Sequence, residues 1–226
     1  MLRKFLTFLK FYFSSHGKII LFSVGENSKI GLNNTIQKGT GIGSNVIISN
    51  NCILRRNVVV GNNSTIDSYT SINRNTIIDF ADIGPFCSIG QNCNIGPGIH
   101  PTDYISTSQN VYGKNNIFEL PENFDPFYKK TIIEEDVWIG ANCTIMQGIL
   151  ISRGSIIGSN SVVTKDTEPY SINVGSPSKK IQMRFNKDKI DYLLSFKSIL
   201  NIDRKTLKTH IIKGSSWSVQ EEKSYS

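Results

Sequence analysis

The chain has 226 residues, 25 Lys plus Arg against 18 Asp plus Glu, and a net charge of +7. With 38% hydrophobic and 19% charged residues, it is neither an acidic disordered chain nor a polytopic membrane protein. Four cysteines are too sparse for a disulfide-stapled scaffold, and the basic excess favours an anionic partner: nucleic acid, an acidic lipid surface or a phosphorylated cofactor.

Residues 1–27 form a basic, aromatic first segment, with MLRKFLTFLKFYFSSHGKIILFSV at 1–24. Apolar positions 2, 5, 6, 9, 12 and 13 follow helical spacing. The stretch is too short and too interrupted by lysine to span a bilayer, and no small-residue cleavage site follows it. Two readings stay open: a helix capping the end of the next domain, or peripheral contact with an anionic membrane.

Residues 28–168 carry an internal repeat. Aliphatic residues recur every six positions at Ile30, Ile36, Ile42, Ile48, Leu54, Val60, Ile66, Ile72 and Ile78. After a one-residue contraction the series resumes at Ile83, Ile89 and Ile95, and it returns from Ile133 through Ile139, Ile145, Ile151 and Ile157 to Val163. A period of six is neither the 3.6 of a helix nor the 2 of a lone strand. It fits an all-β triangular solenoid in which three short strands and three corners close one coil, giving about six coils. The anchor faces inward, and the glycine that often follows it (Gly31, Gly43, Gly61, Gly90) is expected to relieve the corner backbone. Four places after the anchor an inward but cramped site takes small or β-branched residues. Cys52, Cys87, Cys93 and Cys143 all fall there, which predicts buried, reduced, space-filling thiols.

Residues 97–131 interrupt the repeat. An insertion of this length orders many residues without adding a coil, and long structured loops usually serve function. It is rich in proline and aromatics and contains His100; the other two histidines, His16 and His210, lie in the terminal segments. Residues 169–226 leave the repeat through Pro169 and Pro177. The spacing of Ile190, Leu193, Leu194, Phe196 and Leu200 predicts a helix over 186–204, and a polar tail occupies 213–226.

The hexapeptides, the run IGPFCSIGQNCNIGPGIHPTDYIS (83–106), the run TIIEEDVWIGANCTIMQGILISRGSIIGSNSVVTKD (131–166) and the following VGSPSKKI together resemble hexapeptide acyltransferases. The nearest pattern is the xenobiotic acetyltransferase-like branch, with streptogramin, chloramphenicol and sugar O-acetyltransferases, and the resemblance covers roughly residues 28–205. It implies a left-handed parallel β-helix, acetyl-CoA as co-substrate, no metal, and a homotrimer with active sites between subunits. His100 matches the family's general base. A hydroxyl attacks a thioester poorly unless a base takes its proton, and a neutral imidazole suits that task near physiological pH. Asp103 or Tyr104 is the candidate to orient the imidazole, and Tyr104 also a candidate acceptor contact. Trp138, one residue before an anchor and hence outward, matches the tryptophan lining the groove for acceptor and cofactor. Ala141, Ser159, Asn160, Thr164 and Lys165 match positions along the coenzyme arm and pyrophosphate. Lys179, Lys180 and Arg184 are candidates for the 3′-phosphate.

The expected reaction is acetyl transfer from acetyl-CoA to a sugar hydroxyl in surface polysaccharide biosynthesis, in the cytoplasm, with peripheral contact at the inner membrane an open alternative. The polar, aromatic loop suits sugars, and the basic first segment suits a lipid-carried acceptor. An antibiotic acceptor, an amino sugar giving N-acetyl transfer, and a bare solenoid scaffold are the alternatives. A carbonic-anhydrase-type metal site would need three histidines between subunits, and His100 alone lies beside the coils. No nucleic-acid reader module is recognisable, so nucleic acid is not an expected partner.

Overall fold

The computed structural model describes residues 21–119, 121 and 124–205. Both readings of the first segment fall largely before Leu21, outside the described residues, as does the polar tail. The strand Leu21–Val24 already belongs to the solenoid, pairing in parallel with Thr40–Ile42.

Each hexapeptide forms a strand of two or three residues. In Ile47–Ile48 the first side chain faces solvent and the second the interior, the alternation of an extended backbone. The strand then pairs with its counterpart 18 residues on, Ile47 with Thr65 and Ile48 with Ile66. Repetition of this step builds three sheets. The first face runs from Leu21–Val24 through Val59–Val60, Ile77–Ile78 and Asn94–Ile95 to Val162–Val163. The second runs from Lys29–Ile30 to Leu150–Ile151, and the third from Thr35–Ile36 through Trp138–Ile139 to Ser171–Gly175. The result is a parallel β-solenoid, consistent with the left-handed β-helix that the repeat resembles.

Of the anchors, Ile30 on an early rung is half-buried, and every other one is at most 3% exposed. Burying one such side chain stabilises by roughly 1.5–3 kcal/mol, so this single axial column dominates the folding energy. The small inward sites are filled as expected: Thr40, Val46, Ser64, Thr70, Thr76, Val137 and Ser161 are all buried. The four cysteines are buried and free. Each thiol donates to a carbonyl of the next coil, Cys87 Sγ to Glu134 O at 3.0 Å and Cys93 Sγ to Gly140 O at 3.1 Å. Thr70 and Thr76 make the equivalent bonds to Gly84 O and Gly90 O at 2.8 Å. The site therefore selects a small or β-branched side chain, and where that side chain carries a donor it bonds to the next coil.

Two expectations are corrected. The stack exceeds six coils, with sheets of seven, six and eight strands. The strand at Leu21–Val24 precedes the first anchor counted. Ser171–Gly175 was hidden because its rung places Asn173, a buried polar residue, opposite the Ile157 anchor. The corner is also not where glycine was expected to relieve it. Left-handed backbone falls three residues after the anchor, mostly on asparagine: Asn33, Asn45, Asn51, Asn57, Asn63, Asn75, Asn92, Asn142 and Asn160 all have φ near +57°. Asparagine tolerates this region better than other side chains. Glycine after the anchor answers a different demand, close approach. A Cβ on Gly90 would lie 2.6 Å from Ala141 N, and one on Gly140 would lie 2.6 Å from Ser159 N.

The C-terminal helix, α1, spans Lys187–Ser195 and is capped by Asn186 Oδ1, which accepts from Lys189 N at 3.0 Å. It is shorter than the expected 186–204. Arg153 Nη1 donates to Phe196 O at 2.7 Å, and Glu135 accepts from Ser198 Oγ and from Ile199 N. These bonds draw the chain out of the helix onto the solenoid, where a short 3₁₀ turn, Ile199–Asn201, follows. No helix among the described residues is long and apolar enough to cross a membrane.

Candidate active site

His100 sits four residues after Gly96, in the insertion that links the first face (Asn94–Ile95) to the second (Thr131–Ile133). The insertion is folded on its own aromatic centre. A single helical turn at Gln109–Tyr112 buries Tyr112, whose ring meets Tyr104, Phe124 and His100 edge-on at centroid distances of 6.0, 5.3 and 6.3 Å. Gln147 Nε2 donates to Pro126 O at 2.6 Å, and Lys130 pairs with Asp82 at 2.7 Å, tying the returning arm to the coils.

The imidazole is oriented through one nitrogen. Nδ1 lies 2.8 Å from Thr107 O and 2.9 Å from Tyr112 Oη. A carbonyl oxygen accepts, so Nδ1 carries the proton and Nε2 is left as the basic nitrogen. The ring is exposed at the loop surface. These two partners, Thr107 and Tyr112, were not found from sequence: a backbone carbonyl has no signature, and Tyr112 was one aromatic among several. Asp103 is exposed, and among the described residues no hydrogen bond joins it to His100. Tyr104 packs against Tyr112 and so supports the ring's partner rather than the ring.

The other candidates fall on different parts of the prism. Trp138 is 55% exposed on the outer side of the third face, between Ser88 and Ile156 on the neighbouring rungs. Ala141, Ser159 and Asn160 lie on the edge joining the third face to the first, where Asn142 Nδ2 donates to Asn160 Oδ1 at 3.1 Å. Thr164 and Lys165 are exposed on the edge joining the first face to the second, the same edge from which the His100 insertion leaves. Lys179 and Lys180 occupy the antiparallel strand Ser178–Met183 that closes the third face. Lys180 pairs with Glu168 at 2.5 Å. Arg184 Nη1 donates to Asp136 Oδ2 at 3.0 Å and Gly154 O at 2.6 Å. Desolvation, followed by the Arg184 charge, lowers the ammonium of neighbouring Lys189. Within one chain the whole width of the first face thus separates the edge carrying His100 from the edge carrying Ala141 and Asn160.

A groove of about 740 Å³ lies between α1 and the second face and is lined by Asp82, Glu134, Arg153 and Phe196 among others. None of the site residues expected from sequence lines it. Its floor holds an ion pair the sequence did not reveal, Arg153 Nη2 to Glu135 Oε2 at 2.9 Å with both side chains buried. No cluster of three or more His, Cys, Asp or Glu able to hold a metal exists among the described residues.

Comparison with known families matches residues 130–165 to the bacterial transferase hexapeptide (six repeats) and residues 22–56 to the hexapeptide repeat of succinyl-transferase. Over these two stretches the repeats are similar to those of hexapeptide transferases. The chain is similar to the probable macrolide acetyltransferase of Lysinibacillus sphaericus, 52% identical over 30% of this chain and 38% of that protein. It is likewise similar to the chloramphenicol acetyltransferase of Klebsiella aerogenes, 51% identical over 31% of this chain and 34% of that protein. The chain thus matches little more than a third of the length of these relatives. Among solved structures, the D94N mutant of AntD, an N-acyltransferase from Bacillus cereus in complex with dTDP and coenzyme A, has a TM-score of 0.52 at 22% identity, covering 76% of this chain and 94% of that one. That likeness concerns the fold. The hexapeptide-repeat acetyltransferases are the group this chain resembles.

Proposed function

We propose that the protein transfers an acetyl group from acetyl-CoA to a hydroxyl of a sugar destined for surface polysaccharide, with His100 as general base. The observation that carries this reading is the imidazole held through Nδ1 by Thr107 O and Tyr112 Oη, with Nε2 left to take a proton. The acceptor hydroxyl loses its proton to Nε2 as its oxygen attacks the thioester carbonyl carbon. The tetrahedral intermediate then expels the coenzyme thiolate, which is protonated to the thiol as His100 returns to neutral. No covalent acyl-enzyme is involved.

The cofactor arm runs along the edge of Ala141, Ser159 and Asn160, with Lys179 and Lys180 supplying charges that suit its phosphates, while Thr164 and Lys165 stand on the His100 edge. Arg184, already bonded to Asp136 and Gly154, acts mainly by holding the exit segment. Trp138 offers an exposed aromatic wall for acceptor or cofactor. Because the His100 edge and the Ala141 edge lie on opposite sides of one face, a complete site draws each from a different subunit, and a homotrimer supplies three such sites. The reaction is cytoplasmic, with the basic, aromatic stretch that precedes Leu21 resting on the inner membrane.

A second reading, acetylation of an antibiotic hydroxyl, is favoured by the kinship of the coils with segments of macrolide and chloramphenicol acetyltransferases. One assay tests both: release of free thiol from acetyl-CoA with a panel of sugars, amino sugars and antibiotics. Turnover with a sugar hydroxyl that His100→Ala abolishes supports the first reading. Turnover confined to an antibiotic supports the second, and turnover confined to an amine makes the enzyme an N-acetyltransferase.

A further inference from the structure

The edge joining the third face to the first changes character along its length. At its far end it carries the neutral Gln91, Ala141 and Ser159; at the near end, in the same register, stand Lys38, Arg56 and Arg74 with Arg55 beside them. Backbone bonds hold these corners in one ladder: Asn57 N donates to Lys38 O, Asn75 N to Arg56 O and Asn92 N to Arg74 O. Gln37, Arg55, Arg56, Asn73 and Arg74 enclose a concavity of about 400 Å³ with no carboxylate in its lining.

The charges have no counterpart. None of Lys38, Arg55, Arg56 or Arg74 makes a salt bridge among the described residues. The outward positions of both flanking faces are uncharged over these rungs: Thr35, Ile53, Ser71 and Ser88 on the third, and Gly41, Val59, Ile77 and Asn94 on the first. Like charges on adjacent rungs, about 4.8 Å apart, repel. Arg74 Nε donates to Gln91 Oε1 at 3.0 Å, which orients one guanidinium along the ladder. A cluster of this kind, concave and without internal compensation, matches an anion that several guanidinium forks embrace together. It spans three rungs, about 10 Å, too short to follow a polymer and well suited to two linked phosphates.

We propose that this corner is a pyrophosphate-binding site, and that it holds the diphosphate of an acceptor sugar still attached to its carrier. The second half of this statement rests on the acetyltransferase reading. Ala141 lies two rungs beyond Arg74, about 10 Å, so a diphosphate seated on the arginines leaves room for one sugar before the cofactor stretch of the same edge. A nucleotide carrier and a lipid carrier share this chemistry, and the test separates them.

Calorimetric titration of the full chain with inorganic pyrophosphate is the primary measurement. Saturable binding that weakens as salt rises, and that falls about tenfold or more in Arg55→Gln/Arg74→Gln, is the expected result. Pyrophosphate should raise the melting temperature of the parent but not of the variant, whose melting without ligand reports its folding. Coenzyme A should bind parent and variant alike. Uridine diphosphate glucose and a polyprenyl-pyrophosphate sugar in micelles then serve as competitors, and displacement by either one supports the proposal and names the carrier. No saturable binding by the parent, or undiminished binding by the folded variant, overturns the site. An equal loss of coenzyme affinity overturns it by assigning the arginines to the cofactor, and displacement by neither carrier overturns the acceptor assignment. None of these readouts involves acetyl transfer, so failure of the site is distinguishable from failure of the proposed activity.

Discussion

At the scale of residues, the imidazole of His100 is positioned by a backbone carbonyl and a phenol. If it is the base, His100→Ala lowers turnover by about 10²–10⁴-fold while leaving coenzyme binding intact, as thiol release and calorimetry together report. Tyr112→Phe removes one bond to Nδ1 and keeps the ring's packing. A lost hydrogen bond of about 1 kcal/mol lowers kcat roughly fivefold, with the KM for acetyl-CoA unchanged; a shifted pH profile would distinguish positioning from mere loop stability. The histidine was legible in the sequence because it stands in an insertion between two repeat blocks. Its partners were not, since they depend on how residues 101–112 curl back, and a loop without periodicity carries no pattern that fixes that path.

At the scale of elements, the corner and the inward sites divide the work of one hexapeptide, and each makes its own prediction. Asn75 holds φ at +57° and links Asn57 to Asn92 through its side chain. Asn75→Ala costs about 1–2 kcal/mol from the left-handed backbone, and Asn75→Gly costs less because glycine accepts the conformation. Denaturant titration should rank them in that order. Gly90→Ala is destabilising for a different reason, by about 1–3 kcal/mol, because its Cβ meets backbone rather than a movable side chain. The thiols give a pH signature. Burial pushes Cys52 up to about 11 and Cys87 up to about 12, from an ordinary 9.0. Between pH 9 and those values the folded chain holds protons that the unfolded chain has lost, so stability is complete below about pH 9 and falls above it. The fall approaches a factor of ten in the folding constant per pH unit per thiol. Thermal melts of Cys52→Ser/Cys87→Ser, which keeps the donor to the next coil, should show a flatter alkaline limb. The sequence announced this register through its isoleucines. It placed the strain at the wrong residue because glycine after the anchor has two possible explanations, φ and proximity, which only coordinates separate.

At the scale of the whole molecule, the first face lies between the two edges that acetyl transfer must bring together. It also exposes Val59 and Ile77, each at 41%, on rungs that would otherwise favour polar residues. If the site is shared, sedimentation gives a trimer, and mixing inactive His100→Ala with a variant crippled at Asn160 restores part of the activity through hybrid interfaces. Two inactive proteins that stay inactive after subunit exchange would place the whole site within one chain. The number of coils was underestimated from sequence for an equally physical reason: terminal rungs need not repeat the aliphatic code, and the rung at Asn173 satisfies its buried position with a hydrogen bond to Ser171 Oγ at 2.8 Å instead.

The antiparallel return of Ser178–Met183 across the end of the third face has a consequence for assembly. Stacked parallel rungs form a template onto which another molecule could dock head to tail, and repetition would grow a fibre. Here the final rung is met by a strand running the other way and carrying Lys179 and Lys180, so the next prism finds a reversed, charged surface where its own polarity would need a matching one. A chain trimmed of this return strand should associate end to end more readily, as light scattering would report, because the last rung of the third face would then stand uncovered.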